Sequence, residues 1–259
     1  MEVNIFILCY NEAILLPHTI NHYKKYLPNC KITIYDNEST DNSVEIAKNL
    51  GCAVISWNSN NKFNEYEQTR IKENCYKHIK EGWIIVCDMD EWLCILEEDL
   101  IKEKENGTTI ISCLGLNMIG EGKKHDLTDI NLHNITKCYY NPWMNKKLCF
   151  LSDKIQEMYF DLGGHQLWKS KGQIKYSTKH YIIKHMDHSG LDFFINRRIL
   201  RYNRSKFMRE KYGIPIHWNT ADKKKITSNF NCEISNCWDL NNLLKNEWAK
   251  LHQIKYLHL

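Results

Sequence analysis

The sequence predicts an α/β fold: a mostly parallel sheet flanked by helices, followed by a helical C-terminal extension. Short apolar runs alternate with helical patterns up to about residue 116, the pattern of parallel strands joined by crossover helices. One run, Trp83 to Cys87, is rich in Ile and Val and leads into Asp88, Asp90 and Glu91. Two earlier runs end in polar clusters, at Asn11-Glu12 and at Asp36-Asn37-Glu38-Ser39-Thr40-Asp41. Parallel strands bring such ends to one edge, and in open α/β sheets that edge binds ligands.

The elements follow in order. Residues 3–9 are an apolar first strand, and 13–27 a helix with Leu15, Leu16, Ile20, Tyr23 and Leu27 at helical spacing. Pro17 falls early in it, where proline is tolerated. Lys31 to Tyr35 is a second strand. The Ser and Asp residues after it suit helix N-caps, and the helix that follows stops at Gly51. Cys52 to Trp57 is a third strand, 65–80 a helix, and the acid-tipped run a central strand. Glu97 to Lys104 is a helix ended by Asn106-Gly107, and Thr108 to Leu116 a strand. Beyond 117 the order weakens. Residues 138–183 hold short strand-like pieces, Phe193 to Arg209 a basic helix, and Asn241 to Tyr256 a terminal amphipathic helix. The expected division is a ligand-binding domain over 1–190 and a helical extension over 191–259 packed on it.

Composition narrows the class. The chain has 259 residues, 43% hydrophobic and 25% charged, enough for a sizeable core and typical of a globular protein. No run has the length of a membrane span. The first residues lack a basic region before their apolar stretch, so they read as a strand and not as a signal peptide. The 11 cysteines are odd in number and hold no Cys-x-x-Cys pair, which fits reduced thiols and a cytoplasmic location. A net charge of +4 is too mild to point to nucleic acid.

The carboxylates carry the chemistry. Asp88 and Asp90 are two apart in an extended chain and point the same way. Buried together at a strand end they need a canceling charge, and hard divalent cations prefer such oxygen ligands. The three motifs in order resemble family 2 glycosyltransferases of the GT-A fold: an apolar strand then Asn-Glu, a strand ending in Asp-x-x-Ser-Thr-Asp, and Asp-x-Asp-Glu before an aromatic. The likeness covers residues 3–93 well and fades beyond.

That resemblance implies a nucleotide-diphosphate sugar donor, with a UDP-sugar first in line, and a glycan, glycoprotein or lipid-linked acceptor. It implies Mn²⁺ or Mg²⁺ held by Asp88 and Asp90, with His165 or His185 completing the shell. Asn11, Glu12, Asp36, Asn37, Arg70 and Asp88 are then donor-binding residues. This chain has Asn37 where many relatives have a second acid. An inverting reaction needs a general base, and the Glu-Asp pair of many relatives is missing from the second half. Asp161, Glu157 and Asp187 are candidates, Asp161 first because it precedes Gly163-Gly164; Glu91 is the other candidate catalytic carboxylate. Arg197, Arg201 and Arg204 share a helix face, suited to phosphate or anionic lipid or simply to solvent. Rival readings are a nucleotidyltransferase, a phosphotransferase using Asp90 as nucleophile, and a sugar-binding module without catalysis.

Overall fold

The protein is described from a computed structural model, over residues 1–214, 219–235 and 237–243. Strands β1 (Val3–Cys9), β2 (Lys31–Asp36), β3 (Ala53–Ser56) and β4 (Trp83–Asp88) lie parallel in the order β3-β2-β1-β4. Helices α1 (Leu16–Tyr26), α2 (Ser43–Asn49) and α3 (Glu65–Asn74) make the crossovers. The α3 segment, expected to reach residue 80, ends at Asn74 and continues as turns bonded Lys77 N–H to Asn74 C=O and Ile79 N–H to Tyr76 C=O.

The other half of the sheet is built differently. It contains β5 (Glu91–Cys94), then after α4 (Glu97–Glu105) the strands β6 (Ile110–Gly122), β7 (Lys137–Tyr140) and β8 (Cys149–Leu151). Strand β8 pairs antiparallel with β4 and β6, and β7 antiparallel with β6. β9 (Ile155–Phe160) and β10 (Leu167–Gly172) form a separate hairpin. β11 (Tyr176–Gly190) runs parallel to β6 and antiparallel to β5. The chain closes with α5 (Leu191–Arg204), α6 (Lys206–Tyr212), α7 (Lys223–Ile234), β12 (Trp238–Asp239) and α8 (Leu240–Leu243). The basic helix expected over 193–209 is therefore two helices that break at Ser205. Most of the terminal helix expected over 241–256 lies outside the described residues.

The core sits between the sheet and its helices, with Trp83, Trp92, Tyr23 and Tyr181 almost wholly buried. Strands β6 and β11 approach each other so closely that a Cβ on Gly120 would fall 1.9 Å from the Ser189 carbonyl oxygen. The extension is continuous with this core, since Phe193 and Leu240 belong to its main apolar cluster and β12 joins the sheet through β7. All 11 cysteines are free, most of them buried. Among the described residues no helix is long and apolar enough to cross a membrane.

Candidate active site

Strand register brings the three motifs together. Cys9 pairs with Asp36 and Leu8 with Asp88, so the ends of β2, β1 and β4 align at one edge. The first two motifs are knitted by polar contacts. Asn11, at φ 53°, accepts the Thr40 N–H at 2.7 Å and donates its own N–H to Ser39 Oγ at 2.9 Å. Asn tolerates that left-handed backbone better than most residues. Glu12 N–H donates to Ser43 Oγ, and Ala13 N–H to Asp41. Above this edge lies a cavity of about 870 Å³. Asn11, Glu12, Asn37, Asp88, Asp90, Glu91, Asp161, His165 and His185 line it, as do Lys72, Lys146, Arg201 and Arg204.

Each aspartate of the acid-tipped strand has its own cations. Lys72 reaches Asp88 at 2.8 Å and Lys146 at 3.4 Å; both ammonium groups also donate to the Gly163 carbonyl. Burial would raise the Asp88 carboxyl, but the two lysines hold it far below the usual range. Asp90 receives Arg197 at 2.7 Å and Arg201 at 3.0 Å. Against its burial, these arginines and His185 keep its carboxyl well below normal. Arg197 also reaches Glu12 and, at 3.0 Å, Asp187. Asp187 is fully buried and is shared by Arg197, Arg198 and Arg201. Ion pairs thus join five acids of the site (Glu12, Asp88, Asp90, Glu91, Asp187) to five cationic side chains (Lys72, Lys146, Arg197, Arg198, Arg201).

Of the expected histidines, His185 lies beside Asp90 and His165 lines the cavity against Trp143. His185 Nδ1 donates to Asn117 Oδ1 at 2.8 Å, which turns Nε2 toward Asp90 Oδ2 at 3.6 Å. His165 Nδ1 donates to the Trp143 carbonyl at 3.0 Å. Burial, with Lys146 and Lys72 nearby, pulls His165 down to about 3, so its imidazole is neutral at neutral pH. A carboxylate facing an imidazole nitrogen whose partner nitrogen is fixed as donor is the donor chemistry of a divalent site. Asp90 and His185, with Asp88, therefore suit such an ion. Among the described residues no three His, Cys, Asp or Glu side chains are already gathered as a ligand set, so an incoming diphosphate would have to supply further oxygens.

Some expected residues stand elsewhere. Arg70 is exposed and pairs with Glu67 at 2.7 Å, away from the cavity lining. It is out of phase with Glu65, Gln68 and Lys72, which share the inward face of α3, so Lys72 is the cation that α3 supplies. The helical spacing carried that signal. Glu91 accepts the Asp88 N–H at 3.0 Å and pairs with the buried Lys146. Its carboxylate lines the cavity but is 1% exposed. Asp36 accepts the Ser39 N–H through Oδ2, and its Oδ1 is buried without a partner. Asp161 lines the cavity and accepts the Gln166 N–H through Oδ1. Glu157, the third general-base candidate, pairs with Lys77 at 2.7 Å instead. Lys146 had no signal in sequence, and Glu65 emerges only from burial, which pushes its carboxyl up to about 7.

Residues 4–160 match Glycosyl transferase family 2. The chain belongs to that family. A curated relative, Protein RfbJ of Shigella flexneri, is 34% identical over 55 residues, which are 21% of this chain and 43% of RfbJ. Among solved structures, Staphylococcus aureus TarS 1–349 in complex with UDP aligns at 14% identity and TM-score 0.46, over 97% of this chain and 77% of that one. A longer TarS structure is 46% covered by this chain, which thus spans under half of both that structure and RfbJ. The mannosyltransferase PcManGT of Pyrobaculum calidifontis, in complex with GDP-Man and Mn²⁺, aligns at 10% identity and TM-score 0.43, over 90% of this chain and 70% of that one.

Proposed function

We propose that this protein transfers a sugar from a nucleotide-diphosphate sugar to an acceptor hydroxyl, with inversion at the anomeric carbon. The carrying observation is the strand-end cavity that Asp88 and Asp90, each paired with a buried cation, line together with His165 and His185. In the reaction the bond from the anomeric carbon to the diphosphate oxygen breaks and a bond to the acceptor oxygen forms. The diphosphate leaves with the bonding electron pair. Lys72, Lys146 and Arg201 line the same cavity as fixed positive groups, and such groups stabilise charge that develops on a leaving oxygen. Asp90 and His185, with Asp88, would hold a divalent ion, Mn²⁺ suiting the imidazole better than Mg²⁺, and such an ion would supply Lewis-acid stabilisation of that same charge.

The acceptor proton needs a carboxylate within hydrogen-bond reach. Asp161 serves as that base in this reading, since it lines the cavity at the glycine turn beside Lys72 and Lys146.

The test is thermal shift with UDP, TDP, GDP, CDP and ADP, each with Mn²⁺, Mg²⁺ or EDTA, on wild type and Asp90→Asn. A diphosphate at a hundred times its Kd should stabilise the wild type by about 2.7 kcal/mol, and the variant much less. Hydrolysis of sugars on the preferred nucleotide then follows as the activity assay. Absence of any nucleotide shift in the wild type would sink the donor reading.

A further inference from the structure

Helix α5 lies outside the family-matched segment, yet it forms one wall of the cavity. Arg197, Arg201 and Arg204 share one face of it. From residue 197 to 204 a helix rises about 10 Å. The ladder starts at Asp90, at the end of β4, and finishes at Asn37, at the end of β2. Only β1 separates those two strands, so their ends are two strand spacings apart, about 9.5 Å. The arginine ladder therefore crosses the strand ends from the acid pair to the second motif, the span an extended nucleoside diphosphate needs from phosphate to base.

The three arginines differ in their partners. Arg197 and Arg201 are bound to Asp90 and Asp187. Arg204 has no carboxylate partner among the described residues. Its Nη2 donates to Asn37 Oδ1 at 2.6 Å, its guanidinium stacks on Tyr10 with 3.2 Å from Cζ to the ring centroid, and its Nε is buried with no partner. Burial pulls its pKa down, opposed only by Tyr10. Asn37 is meanwhile committed within the protein. Its Oδ1 accepts from Ser59 and Arg204, and its Nδ2 donates to the Trp57 carbonyl. Arg204 thus already donates to that amide oxygen, and Ser59 Oγ, whose one proton also faces the Lys62 carbonyl, lies beside it. A guanidinium with no acid partner, set over the Tyr10 ring and bonded through Nη2 to Asn37 and the Lys62 carbonyl, has the planar shape and spare donors to bind a heterocycle with ring acceptors.

We infer that Arg204, presented by α5 on Tyr10 and Asn37, is the residue that reads the donor's nucleobase, donating to an acceptor on its ring edge. Asn37 and Tyr10 are its positioning residues. The inference rests on the nucleotide-sugar reading of the cavity and assigns base selection to a helix outside the family-matched segment.

Calorimetric titration of the intact protein with UDP, GDP, CDP, ADP and inorganic pyrophosphate, all with Mn²⁺, tests it on wild type, Arg204→Met and Arg204→Lys. The wild type should prefer one base by at least about ten-fold, the worth of one charged hydrogen bond. Both variants should lose about ten-fold for that nucleotide and bring all bases within about three-fold. Their pyrophosphate affinity should stay at the wild-type value. The ratio between bases is read within each variant, so a general loss of stability does not mimic the result. The inference is overturned if either variant keeps the wild-type ranking, if Lys restores it, or if pyrophosphate binding falls in step with the nucleotides. A wild type that binds every base equally overturns it as well, while leaving the donor reading intact. A wild type that binds no nucleotide overturns both.

Discussion

At the residue scale, charge placement dominates. Asp187 is fully buried and holds three arginines together. Removing one partner from a buried ionic cluster leaves uncompensated charge, so Asp187→Asn should cost about 3–5 kcal/mol in denaturant unfolding near neutral pH. Against its burial, Arg198, Arg201 and Arg197 depress the Asp187 pKa strongly. Its contribution is therefore present above the ordinary carboxylate pKa and lost as pH falls below it, and the difference between wild type and variant should shrink in acid. Glu65 behaves in the opposite sense. Burial raises its carboxyl from the ordinary 4.5 to about 7, although Lys72 opposes the rise. Between those values the folded protein holds a proton that the unfolded chain has released, so stability falls as pH rises through this window. Glu65→Gln should remove that decline and stabilise the protein at pH 8 by up to about 3 kcal/mol, with no gain at pH 4. Melting curves across pH check both statements.

At the element scale, the register of β1 with β2 and β4 converts three separate sequence motifs into one edge. The phase of α3 then decides which of its cations enters the cavity, Lys72 inward and Arg70 outward. Strand β11 brings His185 beside Asp90 and delivers Asp187 to α5, so its seating against β6 matters to the site. That seating depends on Gly120, where an added Cβ would meet the backbone of Ser189 at 1.9 Å. Backbone cannot give way as a flexible side chain can. Gly120→Ala should destabilise the protein by about 1–3 kcal/mol or more and displace β11. Urea unfolding, together with loss of nucleotide-induced stabilisation, reads out the two effects. An unchanged midpoint would show that the close approach is not needed.

At the scale of the whole molecule, the C-terminal helices share the main core with the sheet. The division expected at residue 190 cuts through the main apolar cluster, which includes Phe193 and Leu240. It also removes Arg197 from Glu12, Asp90 and Asp187. A chain ending at residue 190 would expose core surface and leave those acids buried without cations, both costly. It should lack a cooperative melting transition and bind a hydrophobic dye. Circular dichroism and dye fluorescence measure this, and a cooperative melt of the truncated chain would restore the view of 191–259 as a separable extension.

The amino-acid sequence by itself determined the parallel half of the sheet, the strand-end placement of Asn11-Glu12, Asp36 to Asp41 and Asp88 to Glu91, and hence the family. These are local properties: apolar period, cap residues and turn chemistry within a few positions of each other. Even the shared face of Arg197, Arg201 and Arg204 was legible as helical spacing. The tertiary structure alone decided what faces those motifs. The pairing of Lys146 with Asp88, of His185 with Asp90, and of Arg197 with Glu12 joins residues 58, 95 and 185 positions apart. Burial likewise separated Glu65 from the other acids of α3. Ion pairs and desolvation depend on distance in space and exclusion of water, and a one-dimensional pattern contains neither.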